Sequence, residues 1–421
     1  MHPVILGNDF SPEKSIYDFK SFVFTERFQD HGDFQLISTD DGILQGDPLL
    51  RPGKMIVASN SATPMMTTSI DVRIDDNGGV ETTYKGKTLD YLFTHRPCVK
   101  EIRDKTYMDA EYKNGWEFGD KDGNERLNWM TIWKELFTVA SSNYGHKELD
   151  FLKLPFEPII YGDQIGFIWH YQVYATFDGG TSMWEAFKRI MENNNSTIRF
   201  QAPPFAVNEW WQYYPWPRDH FKCFHYRGQD RSDFIIFDTF DDSLLKGQLS
   251  VNIENVKNAV IFSNEDHTWV AKSFNAWGQY AHVSYATENM AKQSDYDWEK
   301  TVETRIYQEP YKTLSSGFNL SVEVAPTSGS MKRYGTPSDE NTFETKKRDE
   351  YWLGDLVGVQ VPYFTSVLGV DRILARVTEF TRIEDETGYR EYPSLAYCDY
   401  KFRTDLQSPW AIKKDTKYDW N

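Results

Sequence analysis

The sequence predicts a mainly β protein with a few helices, an α+β chain rather than a parallel α/β one. Three observations predict it. Segments in which apolar and polar residues alternate recur along the chain, the period of half-buried strands. Only two stretches carry the three- and four-residue apolar step of an amphipathic helix. No regular strand–helix alternation appears, which argues against a parallel barrel. Aromatic residues make up 16% of the chain, a composition suited to β structure and contact surfaces.

Taken in order, Ile70-Asp71-Val72-Arg73-Ile74 alternates apolar and charged residues. Asp75 to Gly79 supplies turn chemistry and Val80 to Tyr84 returns, which reads as a hairpin. Gly86-Lys87-Thr88 then reads as a turn leading into a helix or strand over Leu89 to Phe93. Leu127 to Ala140 places Leu127, Met130, Trp133, Phe137 and Ala140 on one helical stripe. Phe167 to Ala175 alternates as a strand. Met183 to Met191 forms the second helix, with Ser182 and Glu185 as a capping box and Asn193 to Asn195 as its stop. Arg372 to Ile383 and Tyr389 to Leu395 flank the acidic, Gly-closed turn Glu384 to Gly388, a second hairpin. Ala325 to Asp349, rich in Ser, Thr, Gly and charge, reads as an exposed loop. The 421 residues suggest two to four domains. They run β-rich, then mixed, then β-rich again.

Lys and Arg number 46 against 63 Asp and Glu, a net charge of −17. That surface repels phosphate backbones and argues against tight nucleic-acid binding. The three cysteines, Cys98, Cys223 and Cys398, are odd in number and far apart, so no disulfide framework is expected. The N-terminal residues carry no secretion signal, and no apolar run reaches membrane-spanning length. Folding in a cytoplasm and no membrane insertion are expected.

Several stretches invite a chemical reading. Gly86-Lys87-Thr88 matches the end of a phosphate-binding loop, but Glu81 stands where that loop needs glycine. Asp120, Asp122 and Asn124 around Gly123 suggest a calcium loop but lack the spaced bidentate Glu; a surface turn explains them better. His220, Cys223 and His225 could begin a zinc site without a fourth ligand; packed side chains are the plainer alternative. Asn208-Glu209-Trp210-Trp211 could serve a glycosidase or a glycan receptor, with Glu209 as acid and the rings as a sugar platform. Trp210, Trp211, Tyr213, Tyr214 and Trp216 among prolines equally describe an ordered loop held against a neighbour. No serine-nucleophile elbow, zinc-protease helix or Cys-x-x-Cys pair occurs. No enzyme activity, metal or cofactor is expected. Asp230 and Arg231 sit in Gly228-Gln229-Asp230-Arg231-Ser232, between an aromatic segment and the apolar run Phe234 to Phe237. An ion pair pinning a corner accounts for them better than an acid and an electrophile.

These segments, in this order, resemble the tail hub proteins of long-tailed phages, also called minor tail proteins. That family is related to the baseplate hubs of contractile tails and to the spike hub of type VI secretion. Thr25-Glu26-Arg27-Phe28 and Gly32 to Leu36 look like its opening strand pair. Leu49 to Ile56 with Pro52-Gly53, the hairpin at Asp75, Gly86 to Leu89 and Arg96-Pro97 continue it. Gly180 to Arg199 is similar to its middle helix-then-strand unit. Gly228, Asp230, Arg231 and Ser232 match its Gly-x-Asp-Arg-Ser corner, and Tyr351 to Val359, containing Leu353-Gly354-Asp355-Leu356-Val357, resembles its late strand. The likeness runs from about Ser15 to about Leu395 and implies the following. Residues 1–105 form a tube-like β-barrel that 155–178 can complete, 106–230 a mixed region, and 231–421 a second such barrel. The chain is a homotrimer whose barrels make a pseudo-hexameric ring at the tail tip of a virion. Its partners are a distal tail or tail tube protein, a tape measure protein and tail spike or fibre proteins, and DNA passes through the lumen without specific binding.

Overall fold

The protein is seen here as a computed structural model. It describes residues 1–38, 48–99, 115–118, 127–143, 153–160, 172–202, 221–251, 259–263, 268–273, 283–287, 318–325, 351–398 and 410–411, a few isolated positions excepted. Strands dominate these residues.

Seven strands open the chain: β1 (Pro3–Leu6), β2 (Pro12–Ser15), β3 (Ser21–Arg27), β4 (Asp33–Ser38), β5 (Met55–Ala58), β6 (Met65–Ile74) and β7 (Val80–Thr88). A 3-10 helix, Leu89–His95, follows directly. The middle of the chain holds β8 (Gly115–Phe118), β9 (Leu127–Asn128), helix α1 (Trp129–Ala140), β10 (Phe156–Ile160), β11 (Gln172–Val173), β12 (Ala175–Asp178), helix α2 (Met183–Asn194), β13 (Thr197–Gln201) and β14 (Phe221–Tyr226). The final third holds β15 (Ile236–Asp238), β16 (Leu244–Val251), β17 (Ala259–Ser263), β18 (Thr268–Ser273), β19 (Val283–Thr287), β20 (Phe318–Val324) and β21 (Leu356–Gln360). Helix α3 (Pro362–Leu368), β22 (Ile373–Asp385), β23 (Gly388–Tyr397) and β24 (Trp410–Ala411) complete it.

One eleven-stranded sheet organises both ends of the chain, in the order β15-β21-β22-β3-β4-β7-β6-β5-β1-β2, with β23 also paired to β22. Its central joint is the antiparallel pairing of β22 with β3, from Glu379–Arg27 to Asp385–Ser21. The early and late β-rich regions therefore share a single sheet. No closed barrel forms among the described residues. The pairing is mixed, since β15 joins β21 in parallel and the other pairs of this sheet are antiparallel.

Both expected hairpins are present as β6–β7 and β22–β23. In β6 the register slips between Thr67 and Ser69. This bulge moves the apolar set Ile70, Val72 and Ile74 onto the core side, because side chains alternate faces along a strand. The capping box forms as its spacing requires: Ser182 N donates to Glu185 at 2.9 Å, and Glu185 N to Ser182 Oγ at 3.2 Å. Leu127 departs from expectation. It lies in β9, paired with Val173, and the helix begins at Trp129. Pairing with β11 satisfies its backbone where a helical first turn would leave N–H groups without partners. The late strand also starts later than Tyr351, at Leu356. Of the single strand expected over Phe167 to Ala175, residues 167–171 and 174 lie outside the described residues, and the rest divides between β11, paired with β9, and the start of β12, paired with β8; beyond Ala325 the expected loop also lies outside them.

Three apolar cores form among the described residues. One lies under β1 and β3 to β7, around Phe22, Phe24, Phe34 and Tyr84. The second joins both long helices to β10, β13 and β14, with Phe93, Trp133, Phe137 and Phe187 fully buried. The third lies between β21 and β22 and the two-stranded β16–β20 ribbon, around Phe237, Tyr351 and Phe380.

A buried ionic group sits where the three regions meet. Glu26 of β3 is 2% exposed. Its Oε2 accepts from Arg382 of β22 at 2.6 Å, and its Oε1 lies 2.7 Å from the Arg199 guanidinium of β13. Thr63 Oγ1 donates to the same Oε1 and accepts from Arg199 Nε at 2.8 Å. Arg382 also stacks over the Phe380 ring at 4.8 Å. Burial alone would push the Glu26 carboxyl upward. The charges of Arg199 and Arg382 and the hydrogen bonds from Thr63 and Arg382 outweigh it, and the group is held below its ordinary value.

Removing one member leaves buried charge without its counterpart. Glu26→Gln is expected to cost about 3–5 kcal/mol, read as a shift of the urea unfolding curve. The pH dependence follows from the lowered carboxyl. Its contribution is complete above the ordinary glutamate value of 4.5 and is lost as pH falls through the lower folded value. The wild-type unfolding midpoint should therefore drop more steeply than that of Glu26→Gln below that pH. Parallel pH profiles of the two proteins would contradict this assignment.

Candidate functional site

The two short motifs singled out in the sequence, 228–232 and 354–355, meet in space. Between β14 and β15 the chain makes a tight corner. Asp230 Oδ1 accepts from Ser232 N at 3.1 Å and from Ser232 Oγ at 2.6 Å. Such a carboxylate closing on the backbone two residues ahead is the ordinary chemistry of an Asp turn. Phe234 N and Ile235 N then donate to the Arg231 carbonyl at 2.9 and 2.8 Å, which finishes the corner and launches β15.

The corner is clamped to the segment that precedes β21. Arg231 N donates to Leu356 O at 2.9 Å and Leu356 N to Gln229 O at 2.8 Å. Arg231 Nε reaches Asp355 Oδ2 at 2.9 Å, while Gln229 N donates to Asp355 Oδ1 at 2.6 Å. Asp355 thus bridges a guanidinium and a backbone amide. It is 2% exposed and Arg231 8%. The ion pair that pins the corner therefore joins Arg231 to Asp355 of the other motif, and the Asp230 carboxylate serves Ser232.

Both glycines answer to this close approach. A Cβ on Gly228 would stand 1.9 Å from the Gly354 carbonyl oxygen. Gly354 has φ +92, a left-handed conformation that glycine adopts readily. A Cβ there would fall 2.7 Å from the Phe28 ring. Arg376 closes the far side by donating to Gly354 O at 2.6 Å and covering the Phe28 ring at 5.1 Å. The assembly is a buried clamp in which charge is matched internally. Its chemistry is positional, fixing where the middle region hands the chain to the third core.

The remaining candidates behave differently. Cys223 and His225 do share a face of β14, but both are buried and occupied otherwise. His225 Nε2 lies 2.8 Å from Ser196 Oγ and its ring stacks on Trp133 at 5.2 Å. Burial, then the Asp90 charge, pushes the Cys223 thiol well up, which opposes the thiolate a metal needs. Burial likewise raises the Cys98 thiol to about 12. Among the described residues no cluster of three or more His, Cys, Asp or Glu could hold a metal ion. Gly86 lies inside β7, where a Cβ would meet the Phe34 ring at 2.1 Å. It makes room for a core ring, and the expected turn does not form, because the strand, paired on both sides, runs on to Thr88. Glu209, Trp210, Trp211, Tyr213, Tyr214, Trp216, His220, Asp120, Asp122 and Asn124 lie outside the described residues.

The Glu26–Arg199–Arg382 group carried no motif, yet a signal existed. Phe22, Phe24 and Glu26 alternate along β3 and all face inward. A lone acid at the inward parity of two phenylalanines requires a buried cation.

No protein-family model matches the chain, and no curated protein matches it. Solved structures do resemble it. A tail protein from Neisseria meningitidis MC58 aligns with TM-score 0.52 and 10% identity, covering 94% of this chain and 96% of that one. The 43 kDa tail protein of prophage MuSo2 from Shewanella oneidensis gives TM-score 0.53 and 9% identity, over 94% and 98%. Prophage tail protein gp18 from Listeria monocytogenes EGD-e gives 0.52 and 8%, over 96% of each chain. At such identities the likeness is one of fold. It extends through nearly the whole of every chain compared.

The clamp yields a graded expectation. Gly228→Ala must push the touching backbones apart and should cost about 1–3 kcal/mol. Asp355→Asn, which leaves Arg231 buried without its anion, should cost about 3–5 kcal/mol. Asp230→Asn keeps an oxygen for Ser232 and should cost under about 1 kcal/mol. Urea unfolding of the three variants checks the order; an Asp230 variant as damaged as the Asp355 one would overturn the assignment of roles.

Proposed function

We propose that the chain is a structural subunit of a phage tail, acting as a hub at the tail tip and not as a catalyst. The observation that carries this is the end-to-end fold likeness to three tail proteins, two of them from prophages. Two further features support it. The buried clamp and the Glu26 group use their charges to hold regions together. A net charge of −17 suits a wall along which DNA moves without adhering.

In this proposal three copies each contribute two tube-like β domains to a six-membered ring. Such a ring matches a six-fold tail tube on one side and a three-fold spike or fibre on the other. Its neighbours are a distal tail or tail tube protein, the tape measure protein and the spike or fibre proteins. Closed rings are built from head-to-tail contacts between unlike surfaces.

Cryo-electron microscopy of tail particles from the encoding phage tests the proposal. The expected result is density for three copies at the tip, and particles without tips when the gene is deleted. Finding the chain only in cell extracts, with normal particles in its absence, would overturn it. So would hydrolysis of host glycan by the purified chain that Glu209→Gln abolishes.

A further inference from the structure

Two apolar surfaces of this chain run past the cover that its described residues supply. The first is the tip of the β6–β7 hairpin. Ile70, Val72 and Ile74 share the core-facing side of β6, opposite Tyr84, Thr82 and Val80. Ile70 packs against the first core, whereas Val72 is 48% and Ile74 70% exposed. The apolar period thus continues into solvent where the core has stopped. The backbone is open there too. β5 pairs with β6 only at Met65 and Met66, so the edge from Ser69 to Ile74 has no strand beside it among the described residues. Open strand edges with apolar side chains invite pairing with another chain.

The second surface is α3. Its sequence, Pro362 to Leu368, and the two residues after it contain no charge. Phe364 and Leu368 turn inward onto the third core. Tyr363 and Val367, four residues apart on another face, are 83% and 62% exposed, and Val370 is 44% exposed. An uncharged helix with exposed Tyr and Val side chains is the kind of surface that marks a contact site. Phe240 adds to the apolar surface at this flank. It stands two residues beyond Asp238, which pairs with Gln360, the last residue of β21 before α3, and it is 79% exposed. The four side chains together offer on the order of 500 Å² of apolar surface, the size of patch that marks an interaction site.

We propose that these two surfaces are the two halves of one head-to-tail contact between copies of this chain. The β6–β7 tip of one copy seats on α3 and Phe240 of the next. Three arguments select a second copy. The surfaces are unlike, so each finds its complement in the other and not in itself. They belong to opposite flanks of the sheet, since β15, beside α3, and β6 are six steps apart in strand order, roughly 29 Å at strand spacing. A copy using both flanks at once generates a ring or a filament. Finally, a stable interface needs about 800 Å² per partner; the patch supplies over half of that, and the open strand edge with its side chains extends it. The inference deepens the tail-subunit role by naming the surfaces that join its copies, and it rests on that role for the closed form of the ring.

Disulfide trapping tests it in a Cys398→Ser background, because Cys98 and Cys223 are buried. The variant Val72→Cys/Val367→Cys should cross-link between copies, both in concentrated purified protein and in tail particles. Its products should end at one closed species in particles. Either single cysteine variant should give less than a tenth of that product. Ile74→Glu and Val367→Glu should each weaken self-association at least tenfold while leaving the thermal midpoint of the monomer unchanged. Equal dimer from Val72→Cys alone would show a self-paired hairpin and overturn the contact. Particles that contain the chain but yield no double-variant product would also overturn it, while leaving the tail-subunit role intact. Particles that lack the chain would remove that role, and the purified protein would then decide the contact alone.

Discussion

The fold depends on one buried carboxylate. Glu26 comes from the first core's sheet, Arg199 from the helical middle and Arg382 from the late hairpin. Taking such groups out of water costs several kcal/mol per ion, which close pairing must offset. Apolar burial is tolerant of small shifts between packed layers. A bidentate ionic junction is not, since its attraction depends on separations near 2.7 Å and on direction. The cores supply most of the stabilisation, and the junction fixes one mutual placement of the regions.

The clamp at Gly228 and Gly354 works by a related logic at a second point. There a turn closed by Asp230 presents Arg231 and the Gln229 amide to a single acid from a segment more than a hundred positions later. The glycines permit the backbones to touch, and Asp355 makes the touch specific. Together the two sites tie β13 and the 228–232 corner to the continuous sheet.

Much of this was legible in the sequence where local rules govern. The β6–β7 and β22–β23 hairpins announce themselves by alternation and turn residues, and α2 by its cap and stripe. The motifs around Asp230 and Asp355 were visible as unusual stretches, but nothing local says that they meet. Pairings such as β22 with β3 are set by the whole fold, and no pattern within either strand names its partner. The bulge after Thr67 was also hidden, because it is visible only once the register to β7 is known. Leu127 fits a helical stripe, and only the presence of β11 beside it makes it a strand.

The pairing of β22 with β3 has a consequence for synthesis. Glu26 and Arg382 are 356 positions apart. At ribosomal speeds this separation amounts to about 20 to 70 s of elongation. Throughout that interval the nascent chain carries a strand edge whose partner has not been made, and an acid that still lacks one of its two arginines. The local hairpins can form early, whereas the central joint must wait for the last stretch to emerge. A growing chain in that condition is a natural client for chaperones, and truncated products would expose a sticky edge to one another on crowded polysomes.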